Sequence, residues 1–293
     1  MMNLALVGLG LMTAPAQHVF AQSIFSGAGA NTINARNDFR TAIGGVNNGA
    51  GVPATPDALK GVGRREISWD GVRLDGTDFG GNSTIIDLGK TVGIPEIRFQ
   101  NTGNLYSDVF AVSGDGFASV NPSIAGQFNA FSGRNTFAAI NGNTIDLSFV
   151  LASGPGTTPI AAGSRGFGAI FSDVELANTS SIELFNGFNS LGTYYVEPGA
   201  NGEFGFLGIL FDTPVITSVR LTLGNASLFN FNGSSFTPGG PENIAGGIDL
   251  AVTDDFIFAE PTAAVPEPST YAMLGAFGIA AAGFGIRRRR TNR

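Results

Sequence analysis

From Glu66 to Ala259 the chain is cut by glycine, asparagine, aspartate and proline into apolar runs of four to nine residues. Runs that short are marginal as helices but match the ordinary length of a strand. The clearest are Glu66–Trp69, Thr84–Leu88, Glu96–Gln100, Asp108–Val112, Thr136–Ile140, Thr144–Leu151, Gly166–Val174, Ser181–Asn186, Gly192–Glu197, Glu203–Phe211, Ile216–Leu223, Gly247–Val252 and Asp255–Ala259. Within one of them Thr217, Val219, Leu221 and Leu223 fall on one side and Ser218, Arg220 and Thr222 on the other, the period of a half-buried strand. Phe167, Ala169 and Phe171 make a second such face.

Only Ile33–Ile43 has helical spacing, with Ile33, Phe39, Ala42 and Ile43 on a shared face. The GGVNNGAGVPATP that follows has loop composition, and Ser153–Pro159 is a candidate boundary. With 43 glycines and 25 phenylalanines, the expectation is an all-β, jelly-roll-like β-sandwich with one short N-terminal helix. Uneven strand lengths argue against a barrel.

Composition then removes whole classes of chemistry. There is no cysteine, and the single histidine is His18, near the N-terminus. Residues 22–262 therefore hold no Ser-His-Asp triad, no Cys-His dyad and no His- or Cys-based metal site. The same residues carry 11 basic and 22 acidic side chains, and such a surface repels a phosphate backbone, so nucleic acid is not an expected partner.

Carboxylates remain. Glycoside hydrolysis needs two of them, and the candidates are Glu66/Asp70, Asp173/Glu175 and Asp254/Asp255, the first two pairs each sharing a face if their strand is regular. Polar strand faces carry such pairs without catalysis. Calcium takes six to eight hard oxygens, which strand ends and loops supply. Asp254 and Asp255, at the start of the last long run, are the candidate calcium ligands, ahead of Asp75 and Asp78. The alternative at each is a turn acid that caps backbone amides. No cofactor is required beyond such a structural calcium. Trp69 is expected in the core rather than as a sugar platform, and Tyr194 and Tyr195 should face opposite ways.

The two ends differ from the middle. Residues 1–21 are uncharged, with an apolar stretch Leu4–Met12 and small residues Val19 and Ala21 ahead of Gln22, the layout of a secretory signal peptide. The basic residue that usually precedes the apolar stretch is missing, so an upstream or misassigned start is expected. At the other end, Thr270–Ile286 is free of charge over 17 residues and is followed by Arg287, Arg288, Arg289 and Arg290. A helix of that length spans roughly 25 Å, the short limit of a transmembrane helix. The arginines would stay cytoplasmic and the body would face outward.

Pro266-Glu267-Pro268 stands directly ahead of that segment. The three-part tail, residues 263–293, resembles the PEP-CTERM sorting signal of Gram-negative bacteria. The resemblance implies an exosortase-type processing partner, transient residence in the inner membrane and release to the cell surface or medium. GRREISWDGV (Gly63–Val72), GFGAIFSDVELANTSSIELFN (Gly166–Asn186), FGFLGILFD (Phe204–Asp212) and DDFIFAEP (Asp254–Pro261) also resemble a largely uncharacterised family of exported bacterial β-sandwich proteins. That likeness, together with one to carbohydrate-binding modules, implies a single body over 22–262 and supplies no catalytic residue. The expected function is a non-enzymatic surface or matrix protein, structural or adhesive in the exopolysaccharide layer. A calcium-stabilised carbohydrate-binding module is the alternative, and a carboxylate-dependent glycan hydrolase the third.

Overall fold

The computed structural model describes residues 20–49, 61–70, 83–86, 103–106, 110–153, 158–232 and 234–263. In chain order these form β1 (Gln22–Ala28), α1 (Thr32–Ile43), β2 (Arg64–Ile67), β3 (Ser83–Ile86), β4 (Asn104–Tyr106), β5 (Phe110–Ser113), β6 (Thr136–Ala139), β7 (Thr144–Phe149), β8 (Ala162–Gly163) and β9 (Gly166–Ser172). There follow β10 (Ser181–Asn186), β11 (Asn189–Tyr195), β12 (Phe204–Phe211), β13 (Ser218–Thr222), β14 (Phe229–Phe231), β15 (Phe236–Pro238), β16 (Val252–Ala259) and β17 (Thr262–Ala263). An eight-stranded sheet runs β1-β12-β9-β16-β6-β5-β3, with β2 also paired to β16; a five-stranded sheet runs β11-β10-β13-β7-β4. Among the described residues both are open at their ends, as a sandwich requires and a barrel forbids.

The two sheets need different sequences because they have different numbers of covered faces. In the five-stranded sheet one face meets the core, so β13 alternates: Val219 and Leu221 are buried, and Arg220 is exposed and pairs with Asp146 on β7 at 2.7 Å. The central strands of the larger sheet are covered on both faces and are buried throughout. Along β16, Phe256 and Phe258 enter the core between the sheets, while Ile257 and Ala259 pack on the outer face beneath α1. At its other end that outer face is covered by Phe117, Ile124 and Phe128 together with Leu228 and Phe229. Trp69 lies in the inter-sheet core, stacked on Phe137 at 4.1 Å and edge-on to Phe110 and Phe256. Its indole N–H donates to the Asp254 carbonyl at 3.1 Å, which satisfies the one polar atom that burial strands.

Helix α1 reaches the sheet because glycine removes the obstacle. A Cβ on Gly208 would stand 2.8 Å from the Phe39 ring, so the floor under Phe39 has to be bare. Burying that ring contributes about 2 kcal/mol. The buried face of the helix is Thr32, Ala35, Phe39 and Ile43. Ile33 and Ala42, expected on it, are exposed, because the face that docks is turned by one residue toward Ala35.

Other expectations shift as well. The Glu66–Trp69 run is paired over Arg64–Ile67 instead, since Trp69 takes a left-handed backbone (φ 63°) that ends the strand. Of Gly247–Val252 only Val252 is strand: Ile244–Gly246 is a 3-10 turn and Gly247 caps it at φ 80°. β1 was not anticipated as a strand; it begins at Gln22 and pairs with β12 from Gln22↔Phe211 to Ala28↔Gly205. Phe149 and Leu151 join Phe167 and Ala169 in one cluster, so the two sides of the 153–159 stretch share a core. The Glu96–Gln100 run, Asp75 and Asp78, most of the 1–21 segment and the whole 270–286 segment lie outside the described residues. Among the described residues no helix is long and apolar enough to cross a membrane.

Candidate functional site

Asp254 and Asp255 sit where β16 slips register against β9, between Thr253 and Phe256. The slip places two successive carboxylates over one loop. Asp254 Oδ2 accepts from the amides of Phe131 (2.6 Å) and Ser132 (3.1 Å), and Asp255 Oδ1 accepts from the Ser132 hydroxyl at 2.6 Å. Arg36 stands 3.9 Å from Asp255 and 4.8 Å above the Phe131 ring. Burial, then the Asp255 charge, pushes the Asp254 carboxyl up to about 8. The expected calcium ligands are thus engaged as a clamp on the 131–132 loop.

The other two carboxylate pairs considered for catalysis fare differently. Glu66 is ion-paired with Arg40 and, at 2.5 Å, with Arg64, while Asp70 Oδ1 accepts from the amides of Arg134 (2.9 Å) and Asn135 (3.2 Å). Because β2 stops at Ile67, these two acids part rather than share a face. Asp173 and Glu175 also lie beyond the end of their strand, yet the fold brings them together and adds a third acid, Glu242.

This second group is built from four segments. Asp173 follows the last residue of β9 in a left-handed conformation (φ 68°), which aspartate tolerates better than most side chains. Its amide donates to the Glu203 carbonyl at 2.9 Å, and its Oδ1 accepts from the Gly202 amide at 2.5 Å. Glu242 comes from the excursion between β15 and β16, anchored where its Oε1 accepts from the Leu250 amide at 3.0 Å. In the same excursion Asp249 holds the 175–179 turn: it accepts from the amides of Glu175 (3.4 Å) and Leu176 (3.2 Å) and from the Thr179 hydroxyl. Asp249 can come so near because Gly224, at φ 62°, has no Cβ; one there would lie 2.2 Å from the Asp249 carbonyl oxygen. The fourth segment brings Gln127, whose buried Nε2 makes no hydrogen bond of ordinary geometry but whose amide faces Asp173 and Glu242 and favours their charged forms.

One carboxylate oxygen each from Asp173, Glu175 and Glu242 lies within 4.8 Å of the others. Asp173 is 0% exposed; the two glutamates are half-buried. Asp173 Oδ2 and Glu175 Oε2 are buried and accept no hydrogen bond of ordinary geometry. Burial, and then the Asp173 charge, lifts Glu175 to about 8, and burial lifts Glu242 to about 6; Asp173 is raised too, again chiefly by burial. A polysaccharide cannot reach a carboxylate as enclosed as Asp173, which argues against the Asp173/Glu175 pair as a glycosidase dyad. Oxygens this close instead have the spacing of ligands around one small cation.

Sequence reasoning named Asp173 and Glu175 but missed Glu242 and Asp249, which lie some seventy residues away and carry no spacing signal. Of the two tyrosines, Tyr195 is exposed and Tyr194 packs against the core, on opposite faces as expected. A shallow depression beside the end of α1 is lined by Asn37, Arg40, Thr41, Gly44, Gly45 and Arg64.

Comparison with protein families finds one match: the PEP-CTERM protein-sorting motif, over residues 264–290. It contains Pro266, Glu267, Pro268 and Arg287–Arg290, all outside the described residues, and starts at the residue after β17. The motif implies export by membrane-associated sorting, with an exosortase as the processing partner. Comparison with curated proteins and with solved structures finds no match.

Proposed function

We propose that the chain is an exported, non-enzymatic surface or extracellular-matrix protein whose β-sandwich is structural or adhesive in the exopolysaccharide layer. The observation that carries this is the sorting motif at residues 264–290, joined to the body with no intervening domain. Several features support the rest. Residues 22–262 contain neither histidine nor cysteine, and the acid pairs considered for hydrolysis are ion-paired, parted or enclosed. Residues 1–21 would direct export, and 270–286 would hold the chain in the inner membrane, body outward, until the tail is cut.

The intact mass of the protein recovered from cells and medium tests this. Loss of Arg287–Arg290 from the mature species, abolished by Pro266→Ala/Glu267→Ala/Pro268→Ala, is the expected result. A mature protein that keeps the arginines overturns processing and leaves a permanent anchor.

A carbohydrate-binding module is the second reading. It is favoured by the polar face of the five-stranded sheet that is uncovered among the described residues, with Tyr195 exposed on strand β11 and Phe188 exposed at the adjoining hairpin tip. Saturable binding to a glycan array, lost in Tyr195→Ala, would favour it; no binding to any glycan would dismiss it.

A further inference from the structure

We propose that Asp173, Glu175 and Glu242 form a structural calcium site, with Gln127 and nearby backbone oxygens completing the shell. Two oxygens each about 2.4 Å from a shared ion can stand at most about 4.8 Å apart, and the three carboxylate oxygens meet that limit. Magnesium, with ligands at about 2.1 Å and a stricter octahedron, would demand a tighter set.

A cluster of acids alone would not single out this place, since surfaces carry many. The orphaned side chain within it does. Asp173 is fully enclosed, its Oδ1 is used by the Gly202 amide, and its Oδ2 is buried without a hydrogen bond of ordinary geometry. A buried carboxylate oxygen left in that state costs several times what an exposed one does. The charged side chains that act on Asp173, Glu175 and Glu242 are, among the described residues, other carboxylates. Gln127 fits the same picture: its amide faces Asp173 and Glu242, its buried Nε2 makes no hydrogen bond of ordinary geometry, and turning the amide over presents Oε1 as a neutral ligand. An ion here would tie the end of β9, the 199–203 turn and the β15–β16 excursion into one unit. The exposed edges of Glu175 and Glu242 give it a way in.

The Asp254–Asp255 bulge is the obvious rival, and it is distinguished by its partners. Asp254 Oδ1 is likewise buried without a partner, but Asp254 Oδ2 and Asp255 Oδ1 already accept from the 131–132 loop, Arg36 supplies positive charge, and among the described residues it is the Asp173 group that brings three acid oxygens within reach of one ion.

The test uses the full chain in a non-ionic detergent, stripped with EDTA and titrated with calcium chloride or magnesium chloride alone. Trp69, the only tryptophan, reports unfolding. Calcium at 10 mM should raise the unfolding midpoint by about 5–10 °C, with half the effect in the 0.1–1 mM range typical of extracellular modules. Glu175→Gln and Glu242→Gln, both at half-exposed positions, should each weaken the calcium response at least tenfold, and Asp254→Asn should leave it intact. Calorimetric titration of the unmodified chain should give one calcium per chain, a readout that holds even if a variant fails to fold. No midpoint shift at 10 mM calcium, an equal shift with magnesium, or a shift lost in Asp254→Asn but kept in both glutamate variants would each overturn the proposal. The site needs neither the matrix role nor glycan binding, so its failure leaves those tests untouched.

Discussion

Glu260 and Asp173 are both enclosed carboxylates at the end of a long central strand, yet they are treated in opposite ways. Glu260, one residue past β16, is gripped by Arg65 of β2: Nε to Oε2 at 2.8 Å and Nη2 to Oε1 at 2.9 Å. Asn48 adds a third bond at 2.8 Å, and Arg65 is itself fully buried and also donates to the Gly49 carbonyl at 2.9 Å. Asp173, one residue past β9, has a single amide donor and two acids for company. The first acid is neutralised by a side chain that the chain brings with it. The second sits where the nearby charges share its own sign. Burial by itself therefore says little about a carboxylate's role, and the sign of what faces it says a great deal.

The contrast can be broken most severely at Arg65. Arg65→Ala leaves Glu260 buried and unpaired and should cost about 3–5 kcal/mol in urea unfolding. Replacing Glu260 as well, by Leu with Arg65→Met, should recover most of that loss. Smaller is Glu260→Gln, which keeps the shape but removes charge-assisted bonds, and should cost about 2 kcal/mol by the same assay. Asp254 is an intermediate case, with two amide donors on one oxygen and none on the other. Its folded pKa, about 8, lies above the ordinary aspartate value, so the folded protein holds a proton that the unfolded chain has released. Stability in EDTA should therefore fall as pH rises from about 4 to 8, by up to about 1 kcal/mol per pH unit, and level off above that. Asp254→Asn should flatten the slope, and an unchanged slope would shift it to the Asp173 group. Last, Glu175→Gln in EDTA at pH 9, where Glu175 is charged, should be neutral or stabilise by about 0.5 kcal/mol, opposite in sign to Glu260→Gln, because it removes a repulsion rather than an attraction. A clear loss of stability there would erase the distinction between the two acids.

What the sequence made legible follows from where each interaction is local. The alternation through Val219 and Leu221, and through Phe167, Ala169 and Phe171, is written in neighbouring residues, and each of those side chains is buried. Trp69 was readable as core because Ile67 shares its face and nothing polar follows it inward. β1 was not readable. Its side chains, in QSIFSGA, are largely exposed, and it exists as a strand because β12 offers an edge to pair with. Gly247–Val252 looked like a strand because its apolar residues are spaced like one, whereas the positive φ at Gly247 ends a turn there. The acid cluster was half legible. Asp173 and Glu175 stood out as a pair, but Glu242 and Asp249 join them only because Gly224 lets a distant excursion fold back against β9. The sorting tail was fully legible, since its recognition depends on order and position along the chain and on no tertiary contact.

The shortest strand pair among the described residues bears on how that tail works. β17, Thr262–Ala263, is laced to β8 by Thr262↔Gly163 and Ala263↔Ala162, so the chain is fastened to the sandwich up to the last residue before the motif. Six residues, 264–269, then separate that fastening from the expected membrane span, and fully extended they reach only about 21 Å. With residues 270–286 in the membrane as proposed, a sandwich moored on so short a line could not drift or tumble freely. The β8–β17 corner would ride against the bilayer surface, and a processing enzyme would have to work in the narrow gap beneath it.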